Sequence, residues 1–424
     1  MIVNPRNGSF PALQRRRRPT SDGERPLRIA MIGQKGLPAT HGGVERHVEE
    51  IGARLADLGD DVTVYCRSSY TGRWGDGHGG GVDGVATDGT YRGMHLRPVA
   101  ALGTKHLDAI THSAASTAAA MHMHADIVHY HALGPGLLAP APRMLSRAGV
   151  VLTVHGLDNE RSKWSGAARA ALGAAHWMSA RVPDVTVAVS HALVEHYAHE
   201  FGREAVYVPN GVVPRSPCPS GAALAQYGLR PGGYLLFVGR LVPEKAADLL
   251  IRAYRRVPGG LRLVIAGGSS FTDDYVASLH RLARRDQRVV LSGYVYGDRL
   301  AELYSNAAAF VLPSNLEGMA LTLLEAVSYG LPVVASDIAP NREIAGEQAG
   351  YRLFRTGDEE ALAAALLRVL AGGQAERAAA ARLRERVLAD YCWDTAARQM
   401  REIYLELVRE PATSRRAVHL SVGG

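Results

Sequence analysis

Tyr234-Leu235-Leu236-Phe237-Val238-Gly239-Arg240-Leu241-Val242-Pro243-Glu244-Lys245 starts as five apolar residues in a row and ends in a glycine, a proline and charged side chains. An unbroken apolar run of that length suits a strand buried on both faces, as in a parallel sheet. The glycine stops it. A helical pattern then follows over Lys245–Val257, so the unit is strand, turn and helix. The same unit recurs downstream. Strands are predicted at Leu261–Ala266, Val289–Ser292, Ala308–Pro313 and Pro332–Ser336, a helix at Leu321–Tyr329, and a helical Ala/Arg-rich stretch closes the chain. Upstream, strands are predicted at Leu27–Gly33, Asp61–Arg67, Asp126–His131, Val150–His155, Asp184–Ser190 and Ala205–Pro209, with a helix over Val44–Leu58. Residues 70–92 are rich in Gly and Asp and read as a mobile loop or a short hairpin. Such βαβ alternation implies α/β architecture, with parallel sheets covered by helices.

A break separates the two series. Val213-Pro214-Arg215-Ser216-Pro217-Cys218-Pro219 is a linker by composition, and Pro231-Gly232-Gly233 punctuates again. Two facing lobes follow, over residues 27–213 and 214–394, with a cleft between them where ligands of open α/β sheets bind. Hydrophobic residues make up 47% and charged residues 21%, which excludes a disordered chain. No apolar run reaches the ~18 residues of a membrane span. Three scattered cysteines, Cys66, Cys218 and Cys392, exclude a disulfide scaffold. The formal net charge of +7 invites a polyanionic partner. Its distribution argues otherwise. Residues 1–26 carry six arginines against Asp22 and Glu24, and residues 411–424 carry Arg415 and Arg416, so the body between is close to neutral. These ends read as basic tails, the first of them disordered. The first tail lacks the apolar core of a signal peptide, which implies a cytoplasmic protein. No nucleic-acid partner is expected.

Three segments carry chemistry. Gly33-Gln34-Lys35-Gly36-Leu37-Pro38-Ala39-Thr40-His41-Gly42-Gly43 joins a strand to a helix, where free N–H groups favour an anion. It matches neither a dinucleotide fingerprint nor a Walker A loop. Arg240 and Lys245 follow the end of a strand, and two cations there suit a diphosphate. Only four lysines stand among the 48 basic residues, so a retained Lys245 points to a place for a compact ammonium. Glu317-Gly318-Met319-Ala320-Leu321-Thr322-Leu323-Leu324-Glu325 sets two carboxylates around a helix start, with Gly318 to Ala320 as the first helical N–H donors. Glu325 sits in an apolar run and needs a hydrogen-bonding partner, such as ligand hydroxyls. His155-Gly156 ends a strand at the cleft, whereas Pro209-Asn210-Gly211 reads as a structural turn. Each has a plain alternative: a structural turn, solvated cations, a chance pair of glutamates, a core histidine. His122, His124, His129 and His131 tempt a metal reading, but no carboxylate accompanies them, and no metal site is expected.

Taken together, these residues resemble the retaining glycosyltransferases of family 4, whose GT-B fold sets two Rossmann-like lobes face to face. Glu317…Glu325 matches the family's E-x7-E, and Gly239-Arg240…Glu244-Lys245 matches its G-R-x-x-x-E-K. The Gly42-Gly43 loop and His155-Gly156 complete the resemblance, which covers about residues 27–408. The wording from Gly33 to Val48, with Thr153-Val154-His155-Gly156-Leu157-Asp158…Arg161…Lys163-Trp164, is similar to a branch that includes bacterial rhamnosyltransferases of capsule and cell-wall polysaccharides. Ala246 departs from the pattern, since the family usually has glycine after the lysine.

The resemblance implies an acceptor-side lobe over 27–213 and a nucleotide-sugar lobe over 214–394. A helix over 395–410 would cross back to the first lobe, leaving 411–424 as a tail. Arg240 and Lys245 would hold the donor diphosphate and stabilise the departing nucleoside diphosphate. Glu325 would take the ribose hydroxyls, and Glu317 would lie by the donor sugar. Backbone N–H groups of Gly318, Met319, Ala320 and Leu321 would meet sugar and phosphate. His155 would touch the sugar, and Gly42 and Gly43 the phosphates. Charge would then be neutralised by side chains and helix ends, with no metal and no cofactor beyond the NDP-sugar itself. No Asp-x-Asp metal clamp is present. The expected acceptor is a saccharide, lipid-linked if the branch resemblance holds. The mixture of Arg161, Lys163, Arg169 and Arg181 with Trp164 and Trp177 over Arg161–Arg181 suits contact with an anionic membrane, or else a helix packed on its own lobe. The same fold also accommodates a catalytically silent binding protein or a sugar-nucleotide epimerase.

Overall fold

The computed structural model describes residues 25–40, 42–71, 89–100, 108–157, 166–270, 272–346 and 350–410. The tail arginines Arg15 to Arg18, His41, most of the 70–92 loop, Arg161, Lys163, Trp164 and residues 411–424 lie outside these. The first sheet holds eight strands: β1 (Arg28–Ile32), β2 (Asp61–Arg67), β3 (Thr90–Tyr91), β4 (Met94–Val99), β5 (Ile127–His131), β6 (Gly149–Val154), β7 (Val185–Ala188) and β8 (Val206–Tyr207). Their order is β3-β4-β2-β1-β5-β6-β7-β8, parallel except for the β3–β4 hairpin. The second sheet holds β9 (Tyr234–Val238), β10 (Arg262–Ala266), β11 (Val289–Gly293), β12 (Ala309–Leu312), β13 (Val333–Ser336) and β14 (Tyr351–Phe354) in the parallel order β11-β10-β9-β12-β13-β14. Every residue of β5, β6, β9, β12 and β13 is buried, which is why β6, β9, β12 and β13 read as largely apolar runs, while β5 buries His129 and His131 as well. Among the described residues no helix is long and apolar enough to cross a membrane.

Each sheet has one point where the winding reverses. In the first it lies between β1 and β5, in the second between β9 and β12. The crevice outside the carboxyl ends of the strands at such a point is where open α/β sheets bind ligands. Gly33 and His131 follow or end the first pair. Arg240 and Glu317 follow the second pair. The two crevices face each other, because Gly318 packs against the backbone of His155 and Gly43 against the Leu321 side chain.

Two helical expectations need correction. The predicted helix over Lys245–Val257 is two pieces: a short 3₁₀ turn at Pro243–Lys245, then an α-helix over Ala247–Tyr254. Ala246 separates them with φ 49° and ψ 39°. This left-handed conformation costs an L-residue roughly 1–2 kcal/mol, whereas glycine adopts it freely. The family's usual glycine is thus accounted for. Ala246→Gly should raise the unfolding free energy by roughly 0.5–1 kcal/mol, which chemical denaturation would measure; a destabilised variant would refute the strain. The predicted helix over Arg161–Arg181 is described only as Gly166–Arg181.

The last helix, Trp393–Arg409, packs on the first lobe beside the Gly43–Asp57 helix. Trp393, Ala397, Met400 and Tyr404 share a core with Val48, Ile51, Leu55 and Val64. Arg401 Nε pairs with Asp60 Oδ2 at 2.9 Å, and the Asp60 side chain is fully buried. Arg401→Ala would remove the charged partner of that carboxylate and leave it the Leu27 N–H as a donor. A loss of about 3 kcal/mol is expected on thermal unfolding, and a change under ~0.5 kcal/mol would show the pair to be dispensable.

Candidate active site

Lys245 and Glu317 meet across the second switch point. Lys245 Nζ donates to Glu317 Oε1 at 2.5 Å, and their side chains are 13% and 9% exposed. The lysine comes from the turn after β9, the glutamate from the loop after β12. Arg240 lies in the same turn, half-buried. Its charge reaches the phenol of Tyr294, which burial pushes up while Arg240 pulls it down. Tyr294 and Tyr296 follow β11 with near-parallel rings, centroids 5.8 Å apart, and both are exposed. The sequence reading did not single out these two aromatics. Two tyrosines spaced two apart just past the predicted Val289–Ser292 strand were the available signal.

Glu325 lies on the Leu321–Ser328 helix, and Tyr304 Oη donates to its Oε2 at 3.3 Å. Burial raises its carboxyl, while the charges of Arg46 and Arg215 and the Tyr304 hydrogen bond oppose that shift. One of those arginines stands on the first lobe and the other in the linker. The helix starts at Leu321, with Ala320 as its N-cap, so Gly318, Met319 and Ala320 are not helical donors as expected. They form the loop ahead of it. Leu321 and Thr322 supply the first helical N–H groups, because those of Leu323 and Leu324 already bond to Ala320 O.

Gly318 to Leu321 instead make the contact between the lobes. A Cβ on Gly318 would stand 2.1 Å from His155 O. Met319 and Ala320 are buried, and Leu321 packs against both hydrophobic cores. Asn210 Nδ2 donates to Met319 O at 3.5 Å, and Asn210 Oδ1 accepts from His47 Nδ1 at 2.8 Å. The presumed structural turn at Pro209-Asn210-Gly211 therefore joins the lobes. Glu343 adds a second bridge, accepting from His191 N–H at 2.9 Å and from Tyr207 Oη at 2.7 Å. Neither His47 nor Glu343 carried a local sequence signal, since their partners are more than 130 residues away.

His155 is half-buried at the end of β6, its Nε2 3.4 Å from His131 Nδ1. Burial holds its imidazole well below the usual range, with the His47 and His129 rings adding to the effect, so it is neutral near pH 7. The Gly33–Gly43 loop is pinned by Lys35 N–H donating to Glu45 Oε1 at 3.0 Å and by Tyr70 Oη donating to Pro38 O at 2.7 Å. Gly42 abuts the Glu45 carboxylate, and Gly43 opens the helix 3.7 Å, from its would-be Cβ, to Leu321. Of the four histidines once weighed as a metal cluster, His131 joins His47 and His155, whereas His122 ends the Asp108–His122 helix.

Comparison with known proteins gives this geometry a context. Residues 232–372 match the model described as Glycosyl transferases group 1, and residues 41–215 match Glycosyltransferase Family 4. The chain is 26% identical over 404 residues to the alpha-maltose-1-phosphate synthase of Mycolicibacterium smegmatis, covering 89% of this chain and 99% of that one. It is 35% identical over 162 residues to the O-antigen chain mannosyltransferase B of Escherichia coli, a match spanning 37% of this chain and 42% of that protein. The glycogen synthase of Mycobacterium tuberculosis is 29% identical over 413 residues, or 90% and 95% of the two chains. Among solved structures, a sucrose-phosphate synthase from Thermosynechococcus elongatus superposes with a TM-score of 0.74 at 23% identity, over 90% and 99% of the chains. Anabaena HepE in complex with UDP and glucose gives 0.71 at 18%, over 89% and 99%. With a glycosyltransferase group 1 model on one lobe, a Glycosyltransferase Family 4 model on the other and the two-sheet GT-B architecture joining them, the chain is a glycosyltransferase of the GT-B fold.

Proposed function

We propose that this glycosyltransferase moves a sugar from a nucleoside-diphosphate donor to a saccharide acceptor, with retention of configuration and without a metal ion in the reaction. The observation that carries this is the Lys245–Glu317 pair at the second switch point, with Arg240 in the same turn. A donor diphosphate entering there takes the two cations, and Glu317 is released toward the sugar. Glu325 accepts the ribose hydroxyls, and the exposed Tyr294–Tyr296 pair offers the base an aromatic face. Leu321 N–H and the Gly318-Met319-Ala320 loop line the phosphate and sugar. Gly42 and Gly43 close on the phosphates from the first lobe, and neutral His155 hydrogen-bonds a sugar hydroxyl. The C1–phosphate bond breaks as the acceptor oxygen bonds to C1 on the same face. Its proton passes to the departing phosphate oxygen. Arg240, Lys245 and the helix start stabilise the negative charge that grows on that phosphate.

The complexes of Anabaena HepE with UDP and glucose and with UDP-glucose support a nucleotide-sugar donor. The names O-antigen chain mannosyltransferase and glycogen synthase support a saccharide acceptor. The finer placement rests on the branch resemblance: envelope or exopolysaccharide assembly, a lipid-linked acceptor, and rhamnosyl transfer. Trp177, 55% exposed on the Gly166–Arg181 helix with exposed Arg181, supports peripheral contact with an anionic membrane at the cytoplasmic face. Thermal unfolding with UDP, GDP, dTDP and ADP tests the core of this proposal. The cognate nucleotide at about a hundredfold over its Kd adds about 2.7 kcal/mol, or a rise of several degrees. If none of the four moved the transition, the nucleotide site would be wrongly placed.

A further inference from the structure

Four imidazoles gather where the first lobe meets the cleft, and they are not equivalent. His129 is fully occupied: its Nδ1 lies 2.6 Å from Tyr404 Oη and its Nε2 2.7 Å from Thr153 Oγ1. The other three are not. His47, His131 and His155 each present a ring nitrogen within 4.8 Å of the other two. His47 and His131 are completely buried. Asn210 Oδ1 accepts the His47 Nδ1 proton, which leaves a lone pair on His47 Nε2. That atom and His131 Nε2 are buried without a hydrogen-bond partner. Leaving two such nitrogens dry and unpaired is costly, and native interiors rarely do so.

We infer that His47, His131 and His155 form a binding site for a divalent transition-metal ion. Two imidazole nitrogens on a tetrahedral ion stand about 3.3 Å apart, given metal–nitrogen bonds of about 2.0–2.1 Å. His155 Nε2 and His131 Nδ1 are already 3.4 Å apart and, with the lone pair on His47 Nε2, make the ligand set, so His131 Nε2 carries that ring's proton. Closing His47 onto them takes side-chain rotation on the order of 1 Å. Three imidazoles with no carboxylate select zinc, cobalt, nickel or copper over magnesium and calcium. A fourth position is left for water or a ligand oxygen. Asn210 supplies the outer support that metal-bound histidines usually have, since it sets the His47 tautomer and is itself held by Met319 O of the opposite lobe. The site is separate from the diphosphate-binding Arg240 and Lys245, and the proposed reaction does not use its ion. His155 belongs to both. An ion that holds His155 takes it from the donor sugar, so zinc is an inhibitor of transfer; this last consequence rests on the function proposed above.

Cobalt(II) reports both binding and geometry. Chelator-treated full-length protein is titrated with Co²⁺ and followed by visible absorption. One equivalent should give the intense bands of tetrahedral Co²⁺, and Zn²⁺ should bleach them. His155→Gln, at the half-buried member, and His47→Gln should each weaken binding at least tenfold with a thermal transition near that of the wild type. His196→Ala removes half of the separate His176–His196 pair, whose Nε2 atoms are 3.2 Å apart, and should bind as the wild type does. The inference falls if the wild type shows no tetrahedral spectrum, or if His155→Gln binds Co²⁺ as tightly as the wild type does. A misfolded His47→Gln does not remove the test, because His155→Gln carries it alone. In the activity arm, micromolar Zn²⁺ should slow NDP release, and chelator should restore it. Tight Co²⁺ binding with unchanged turnover would support the metal site and overturn the place given to His155 at the donor.

Discussion

Lys245→Ala is expected to lower kcat/KM for sugar transfer by about 10²–10³-fold, the usual loss when one preorganised charge is withdrawn from a developing anion. In the proposed reaction the leaving nucleoside diphosphate gains a full negative charge as its bond to C1 breaks, with the ammonium as the compact cation beside it. Binding of the free nucleotide should suffer less, since Arg240 remains. Lys245→Arg should recover little. A planar fork does not replace a point charge on a flexible stem, and this chain uses arginine nearly everywhere else. The alanine variant also strands Glu317, whose side chain is only 9% exposed, beside an empty place. That costs about 1–3 kcal/mol of stability. Adding Glu317→Gln should return part of that stability without returning activity. Steady-state NDP release and thermal unfolding separate the two effects. A single variant within threefold of wild-type kcat/KM would remove Lys245 from the mechanism.

What could be foreseen divides along a physical line. Strands such as Tyr234–Val238 and Val150–Val154 are buried on both faces, so their composition alone announces them. Met94–Val99 did not announce itself, because three of its six residues are exposed and Pro98 interrupts it. Tyr351–Phe354 is an edge strand of four residues with too short a pattern to register. In the site, Arg240, Lys245, Glu317 and Glu325 were legible as motifs because each pair is close in sequence. The bond between Lys245 and Glu317 was not, since it spans 72 residues. Asn210 looked like a turn residue only. Its observed task, joining His47 to Met319, depends on the two lobes meeting, and no local pattern encodes that. Ala246 shows the reverse case: the substitution was visible, but its cost needed the dihedral angle.

Gly318→Ala should separate nucleotide binding from sugar transfer. The added Cβ would stand 2.1 Å from His155 O and 2.6 Å from its carbonyl carbon. Both are backbone atoms at the end of β6, so no side-chain rotation relieves the clash. On the other side Gly156 is already in van der Waals contact, with its own would-be Cβ 3.5 Å from Gly318 N. The lobes must therefore part by on the order of 1 Å, and a misplacement of that size costs about 10²-fold in rate. Arg240, Lys245 and Glu325 all belong to the second lobe and stay in register with one another. Affinity for free nucleoside diphosphate should change by less than about threefold, well under the ~1.4 kcal/mol of a tenfold effect. The buried strands of each sheet keep their own packing, so the thermal transition should move little. Gly173→Ala is the matched control: the same methyl is added to an exposed helical glycine with nothing within 4 Å. It should leave kcat alone. Full transfer activity in Gly318→Ala would mean that the lobes work in a more open arrangement than the one seen, and that the His155–Gly318 contact is not part of the productive state.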